Sequence, residues 1–355
     1  MTALTVPAHP GEDTSSRTLP WRRMIWVTWR QHRVTLAAVA VFFGGMAGWL
    51  WVEGRALHHA YAAAISCHPA SSIACSDLVN AFNGTNGFLA NGVILQAVPP
   101  LIGAFVGAPV LARELETGTF RFAWTLAFGR WRWALAKLVP LAVAVAAAAG
   151  ALSVLLSWYY QPYFAAGNQN LLLSGATTPF FPGLFDLRGV AFAAWTLAAF
   201  AIGALAGMLI RRVVPAIAAT LAVYAGLAFA AGVYLREHYL TPLLTTNVNL
   251  NLPTSAWVIS QWWTKGGRTV SPSTMEQVIQ STLDRIAPVL HSRTQKFPTY
   301  LHALRYLTQH GYTQWTRYQP ASRFWPFQWI EGGWLLALSV LLIAVTVWLV
   351  RRRPV

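Results

Sequence analysis

The chain has 355 residues, of which 55% are hydrophobic and only 10% charged, against about 25% charged in an ordinary soluble domain. That balance excludes a disordered chain and argues against a soluble enzyme. Lys+Arg number 26 against 11 Asp+Glu, a formal net charge of +15. So basic a chain could suit nucleic acid, but the basic residues flank long apolar runs, so membrane topology is the better reading and no nucleic-acid partner is expected.

Residues 1–16 are polar, with Pro, Ser and Thr, and read as disordered. Leu19–Arg33 mixes Trp21, Met24, Ile25, Trp26 and Trp29 with basic positions, and reads as an interfacial elbow helix closing a cytoplasmic segment 1–33. A bilayer core about 30 Å thick needs roughly 20 apolar residues of helix. Six runs qualify: Val34–Val52, Gly92–Ala112, Ala134–Tyr160, Gly189–Ile210, Val213–Leu235 and Ile330–Val350. In lipid the backbone must bond within each segment or in a closed barrel, and no alternating strands support a barrel. The expected fold is therefore all-α: a polytopic membrane protein with six transmembrane helices. The expected organisation is 1–33, then five spans over 34–235 with a cytoplasmic connector at 113–133, then an extracellular domain at 236–329, then the sixth span and basic tail at 330–355.

The second run contains Pro99-Pro100, which remove backbone donors and are expected to kink it. The loop Glu53–Asn91 holds both cysteines, Cys67 and Cys75. Arginines gather in 1–33, in the connector after the second run, at Arg211-Arg212 and in the tail Arg351-Arg352-Arg353, whereas the shorter opposite loops carry only Arg55 and Arg188. This bias places both termini in the cytoplasm. Cys67 and Cys75 then face the oxidising side, which favours a disulfide over a metal site. The loop Gln161–Arg188 reads as irregular. In Arg236–Gln328, a capping box at Ser273–Glu276 followed by Met275, Val278, Ile279 and Leu283, and a second face at Tyr300, Leu301, Leu304 and Leu307, predict a small helical domain.

No P-loop, H-E-x-x-H, C-x-x-C or G-x-S-x-G motif is present, so no catalytic, metal or cofactor-binding residue is assigned. Charged groups within the runs are few. Glu53 and Glu331 sit at run ends, where water is expected to reach them, and Lys137 is expected to snorkel. An ion-coupled carrier usually needs intramembrane acids or His, so the energy source is expected to lie outside this chain.

The most informative segment follows the second run: Arg113-Glu114-Leu115-Glu116-Thr117-Gly118-Thr119-Phe120-Arg121, continuing through Trp124 and Phe128 to Arg130 and Lys137. Phe120, Trp124 and Phe128 recur every four residues and predict a short amphipathic helix. The Glu-Leu-Glu-Thr-Gly-Thr core resembles the cytoplasmic element of bacterial ABC exporter permeases, the six-span type V group whose ATPase is a separate chain. The opening Trp29-Arg30-Gln31-His32-Arg33 and the ending Tyr318–Glu331 are similar to a narrower branch of that group. The resemblance implies a permease subunit in the bacterial plasma membrane, with ATP and Mg bound by partner ATPase subunits, and with a second permease chain completing a homodimer or heterodimer around a hydrophobic or amphipathic substrate. It implies that Arg113, Glu114, Glu116, Gly118, Thr119, Phe120, Arg121 and Trp124 couple the two subunits, and that membrane lipid surrounds the spans. The alternative reading is a membrane-embedded enzyme or sensor acting through 236–329, where Glu237, Glu276 and Asp284 are the acids.

Overall fold

The computed structural model of the chain describes residues 21–68, 72–84, 92, 94–118, 130–168, 178–246, 255–286 and 296–352. The expectations for residues 1–16 and for Thr119, Phe120, Arg121, Trp124 and Phe128 lie outside the described residues. Among the described residues, six helices are long and apolar enough to cross a membrane: Arg33–Ser66, Ile94–Thr117, Arg130–Ala166, Gly189–Ile210, Val213–His238 and Ala321–Arg352. The all-α polytopic architecture follows, with one addition between the fifth and sixth spans.

Helix α1, Trp21–Ser66, runs unbroken for 46 residues. Residues 21–33 of the expected elbow helix form the first part of α1, continuous with the first span. At 1.5 Å per residue α1 is about 69 Å long, twice the bilayer core. Its far end turns much of the expected loop Glu53–Asn91 into helix, continued by α2, Ile73–Gly84. A disulfide joins Cys67 to Cys75 across the turn, with Cα atoms 5.6 Å apart. Phe82 of α2 is fully buried, between Tyr61 of α1 and Tyr163, each at a ring-centroid distance of 5.7 Å.

The second span is segmented. A turn at Ala97 precedes α3, Val98–Ile102; a π-helical stretch Gly103–Gly107 and α4, Ala108–Thr117, complete it. The turn at Ala97 stands just before Pro99-Pro100, where the kink is expected. Both prolines lie in the first turn of α3, where backbone N–H groups have no intrahelical acceptor to lose. A second deformation lies further on: Ala108 N–H bonds back five residues to the Gly103 carbonyl, just before Pro109, which has no N–H to donate.

Helix α5, Arg130–Tyr159, forms the third span and passes into α6, Gln161–Asn168, so the expected irregular loop after Tyr160 begins as helix. A short α7, Pro182–Phe185, leads into α8, Gly189–Ile210, the fourth span. This span is the hub, packing against the second, third, fifth and sixth. The closest approach is to the second span. A Cβ at Gly103 would lie 2.5 Å from the Ala199 carbonyl oxygen, one at Gly107 equally close to that of Phe200, and one at Gly203 would run into the Gly103 carbonyl. Each span thus carries glycines four residues apart, Gly103/Gly107 and Gly203/Gly207, which lets the two backbones touch where water supplies no hydrophobic drive.

After the two-residue turn Arg211-Arg212, α9, Val213–Ala230, a π-helical stretch Ala231–Leu235 and α10, Arg236–His238, form the fifth span. Polar residues within the bundle bond their own helix: Thr196 to Phe192, Thr220 to Ala216 and Ser339 to Leu335, each hydroxyl donating to the carbonyl four residues back.

The segment between the fifth and sixth spans was expected to be wholly helical. It instead holds a four-stranded antiparallel sheet in the order β1-β4-β2-β3, with β1 Leu243–Thr246, β2 Trp257–Lys265, β3 Arg268–Val270 and β4 Tyr312–Gln319. The two helices expected there are present as α11, Pro272–Ile286, and α12, Lys296–Gln309. Met275, Ile279 and Leu307 from them pack on Trp263, Val270 and Tyr312 of the sheet. Trp262 and Trp315, paired across β2 and β4, project from the opposite face with parallel rings 6.4 Å apart. β1 and β4 join the fifth and sixth spans with almost no linker. Gln319 Nε2 donates to the Leu240 carbonyl at 2.8 Å, and Arg323 Nη1 to that of Thr241 at 2.7 Å. A 3-10 turn, Ala321–Arg323, then opens α13, Phe324–Arg352, the sixth span.

Candidate functional site

At one end of the bundle lie the acids of the Arg113–Gly118 segment. They sit on the last turn of α4, which ends at Gly118 in a left-handed conformation, φ 72°; glycine adopts this without a Cβ clash. Arg113 is exposed. Glu114, a quarter exposed, forms an ion pair with Lys137 of α5. The Lys137 side chain is only 4% exposed, and its ammonium lies 4.6 Å from the Trp133 ring centre. Lys137 therefore does not snorkel to water; a carboxylate and an aromatic face satisfy it inside the protein.

Glu116 accepts a hydrogen bond of 3.1 Å from the backbone N–H of Val213, the first residue of α9. A carboxylate there meets an otherwise unpaired N–H and the positive end of the helix dipole. The two acids thus tie the end of the second span to the third through Glu114 and to the fifth through Glu116. The described chain leaves α4 at Gly118, two residues beyond Glu116, and resumes at Arg130, about two turns of α5 before Lys137.

At the other end of the bundle is a charge cluster that hydropathy did not anticipate. Arg236, 1% exposed, donates through Nε and Nη2 to Glu331 at 3.1 and 2.7 Å and through Nη2 to Asp186. Its guanidinium also lies 4.2 Å from the Phe185 ring centre. Glu331 is fully buried and accepts further bonds from Trp195 Nε1 at 2.9 Å and the Tyr239 hydroxyl at 3.2 Å. The expectation that water reaches Glu331 is therefore corrected: it faces the fourth and fifth spans rather than the surface. Next to it in α13, Gln328 bridges the start of α8, accepting from Ala191 N–H at 2.9 Å and donating to the Phe185 carbonyl at 2.8 Å.

Asp186, in the loop before the fourth span, keeps its side chain 27% exposed. Burial pushes its carboxyl up to about 7; Arg236 pulls against that rise and the neighbouring Glu331 adds to it. The signal for this cluster was available: an acid and an arginine at the edges of apolar runs. Nothing local to either residue names the other.

Among the described residues, no group of three or more His, Cys, Asp or Glu could hold a metal ion. The chain matches the family model described as "ABC-2 membrane transporter related" over residues 35–236. No curated protein and no solved structure matches it. The matched stretch runs from the first span to the end of the fifth and contains both acids of the connector, so the chain belongs to that family.

Proposed function

We propose that this ABC-2 membrane-transporter-related protein is the permease subunit of an ATP-driven exporter. In this reading separate ATPase subunits bind ATP and Mg and dock on the connector 113–133. A second permease chain, identical or sister, completes the translocation path for a hydrophobic or amphipathic substrate. The single observation that carries the reading is the family match over residues 35–236.

The anchoring of the connector supports a mechanical role for it. Force applied between Gly118 and Arg130 is delivered through Glu114–Lys137 and Glu116–Val213 to the second, third and fifth spans together. Phe120 and Trp124 are then the aromatic anchors for the ATPase, since such residues dominate interface energies. Arg113, exposed beside the pair, along with Thr119 and Arg121, supplies polar contacts. ATP binding to the partner shifts the permease pair between two states by binding one of them more tightly.

The proposed location is the bacterial plasma membrane with both termini cytoplasmic. The arginine bias supports that orientation. The Cys67–Cys75 disulfide supports it as well, because disulfides persist on the oxidising side. The sheet between spans five and six is then extracellular.

The test is co-purification with ABC ATPase subunits from the same cells, followed by ATPase assays in proteoliposomes. Phe120→Ala/Trp124→Ala is expected to abolish docking and stimulation while leaving the permease folded. Normal stimulation by that folded double variant would refute the docking assignment, and the absence of any ATPase partner would refute the exporter reading.

A further inference from the structure

Beside the Arg236 cluster lies a cavity of about 80 Å³ between the second, fourth and fifth spans. Its walls include Gln96, Pro99, Asp186, Phe192, Trp195 and Tyr224. Among the described residues, Asp186 is the only charged side chain in that lining. Three aromatic residues share the wall with it, and Trp195 is held with its Nε1 donating to Glu331 and its ring edge-on to Tyr224 at 5.5 Å.

Two features point to a cationic occupant. The cluster behind Asp186 has two carboxyls, Asp186 and Glu331, sharing one guanidinium, that of Arg236. With both carboxyls ionised it carries one net negative charge, and the Asp186 carboxylate that bears the excess is only partly exposed, so a proton or a cation beside it is favoured. Arg188, the nearest other base in sequence, has its guanidinium over the rings of Phe164 and Phe324, at 4.2 and 5.1 Å. Aromatic rings attract a cation that reaches their faces, and three of them line this cavity.

The walls also decide the kind of cation. Ca2+ or Mg2+ asks for six or more oxygen ligands, and among the described residues this lining offers side-chain oxygens from Asp186, Gln96 and Tyr224. The volume exceeds that of a single bound water several times over. We propose that this cavity binds a small organic ammonium ion, with the Asp186 carboxylate meeting its charge and Phe192, Trp195 and Tyr224 enclosing its alkyl groups.

A proton competes for the same carboxylate. The groups facing Asp186 are Arg236 and Tyr224 from the fifth span and Glu331 from the sixth, with Tyr239 bonded to Glu331. With Asp186 pushed up to about 7, ligand affinity at pH 6 is expected to be about tenfold weaker than at pH 8. Binding is a property of this chain alone and needs no ATPase, so its failure leaves the exporter reading untouched.

The test uses the full-length protein in lipid nanodiscs, with methylammonium and trimethylammonium as probes. Potassium at equal ionic strength and tert-butanol, an uncharged molecule of similar size, are the controls. Equilibrium dialysis with labelled probe and the shift in thermal unfolding are both read. Saturable binding of the ammonium probes, about tenfold weaker at pH 6 than at pH 8 and absent in Asp186→Asn, is expected. Equal response to potassium or tert-butanol, or unchanged binding in Asp186→Asn, would overturn the assignment. If Asp186→Asn does not fold, Ala228→Leu decides, because it fills the cavity and leaves the carboxylate in place. Undiminished binding in that variant also overturns the proposal.

Discussion

Glu331 of the sixth span and Arg236 at the end of the fifth stand 95 residues apart in sequence and are joined by hydrogen bonds of 2.7 and 3.1 Å. Their side chains are 0% and 1% exposed. With Asp186, Trp195 and Tyr239 also bonded to them, they lock the fourth, fifth and sixth spans at one end of the bundle.

Removing one partner of a buried pair leaves the other charge uncompensated, which typically costs about 3–5 kcal/mol. Arg236→Met is therefore expected to lower the unfolding temperature sharply, measured by fluorescence-detected size-exclusion chromatography after heating. Arg236→Met/Glu331→Leu is expected to lose less than Arg236→Met alone. A double variant weaker than the single one would show that the pair contributes net stability beyond compensating itself.

Glu114 and Lys137 make the equivalent contact at the opposite end. Glu114→Lys places two ammonium groups together in a largely enclosed site and is expected to abolish folded yield. The exchange Glu114→Lys/Lys137→Glu restores opposite charges and is expected to recover most of it. Recovery of fold without recovery of transport would separate the pair's structural role from the coupling role proposed for the connector.

The contact between spans two and four leaves no room for a side chain at Gly203, whereas nothing lies within 4 Å of a Cβ at Gly226 in the fifth span. Overfilling a packed interface costs about 1–3 kcal/mol and often more against rigid backbone. Gly203→Val is expected to reduce thermal stability severely, and Gly226→Val to be tolerated. Comparable losses at both sites would refute the tight backbone approach.

Asp186 gives a pH dependence with a definite sign. Its folded-state carboxyl sits at about 7, above the ordinary aspartate value of 3.8, so the folded protein holds the proton more tightly than the unfolded chain. The stability contributed by protonation is complete below about pH 4 and is lost as pH rises through about 7. Relative to Asp186→Asn, the wild-type unfolding temperature is expected to fall between pH 5 and 8 and to level off above. A difference that stays constant across this range would place the carboxyl at its ordinary value.

Much of this architecture was legible because bilayer thickness imposes a length of apolar helix that hydropathy reads directly. The runs at Gly189–Ile210 and Val213–Leu235 coincide with observed spans almost to the residue. What hydropathy cannot read is pairing across the bundle. Lys137 and Glu331 each looked like a tolerated charge at a run end, since the partner that buries each lies on another helix.

The sheet is hidden for a different reason. The helical periodicity of Met275–Leu283 dominates the segment and masks the strand composition of its flanks. Trp257–Lys265 and Tyr312–Gln319 are rich in Trp, Thr, Tyr, Val and Ile, a strand composition. Gly266-Gly267, with φ of 54° and 80°, is the two-residue turn a hairpin prefers between such runs. The connector itself lies between described residues at Gly118 and Arg130, so its amphipathic helix remains an expectation from the four-residue spacing of its aromatics.

The seamless junction of β1 and β4 with the fifth and sixth spans makes the sheet a rigid lever. β2 has nine residues, so at about 3.3 Å each it extends roughly 30 Å. A tilt of the two spans too slight to register within the bundle is magnified along that arm, and the hairpin at Gly266-Gly267 becomes the pointer on which such a tilt is read.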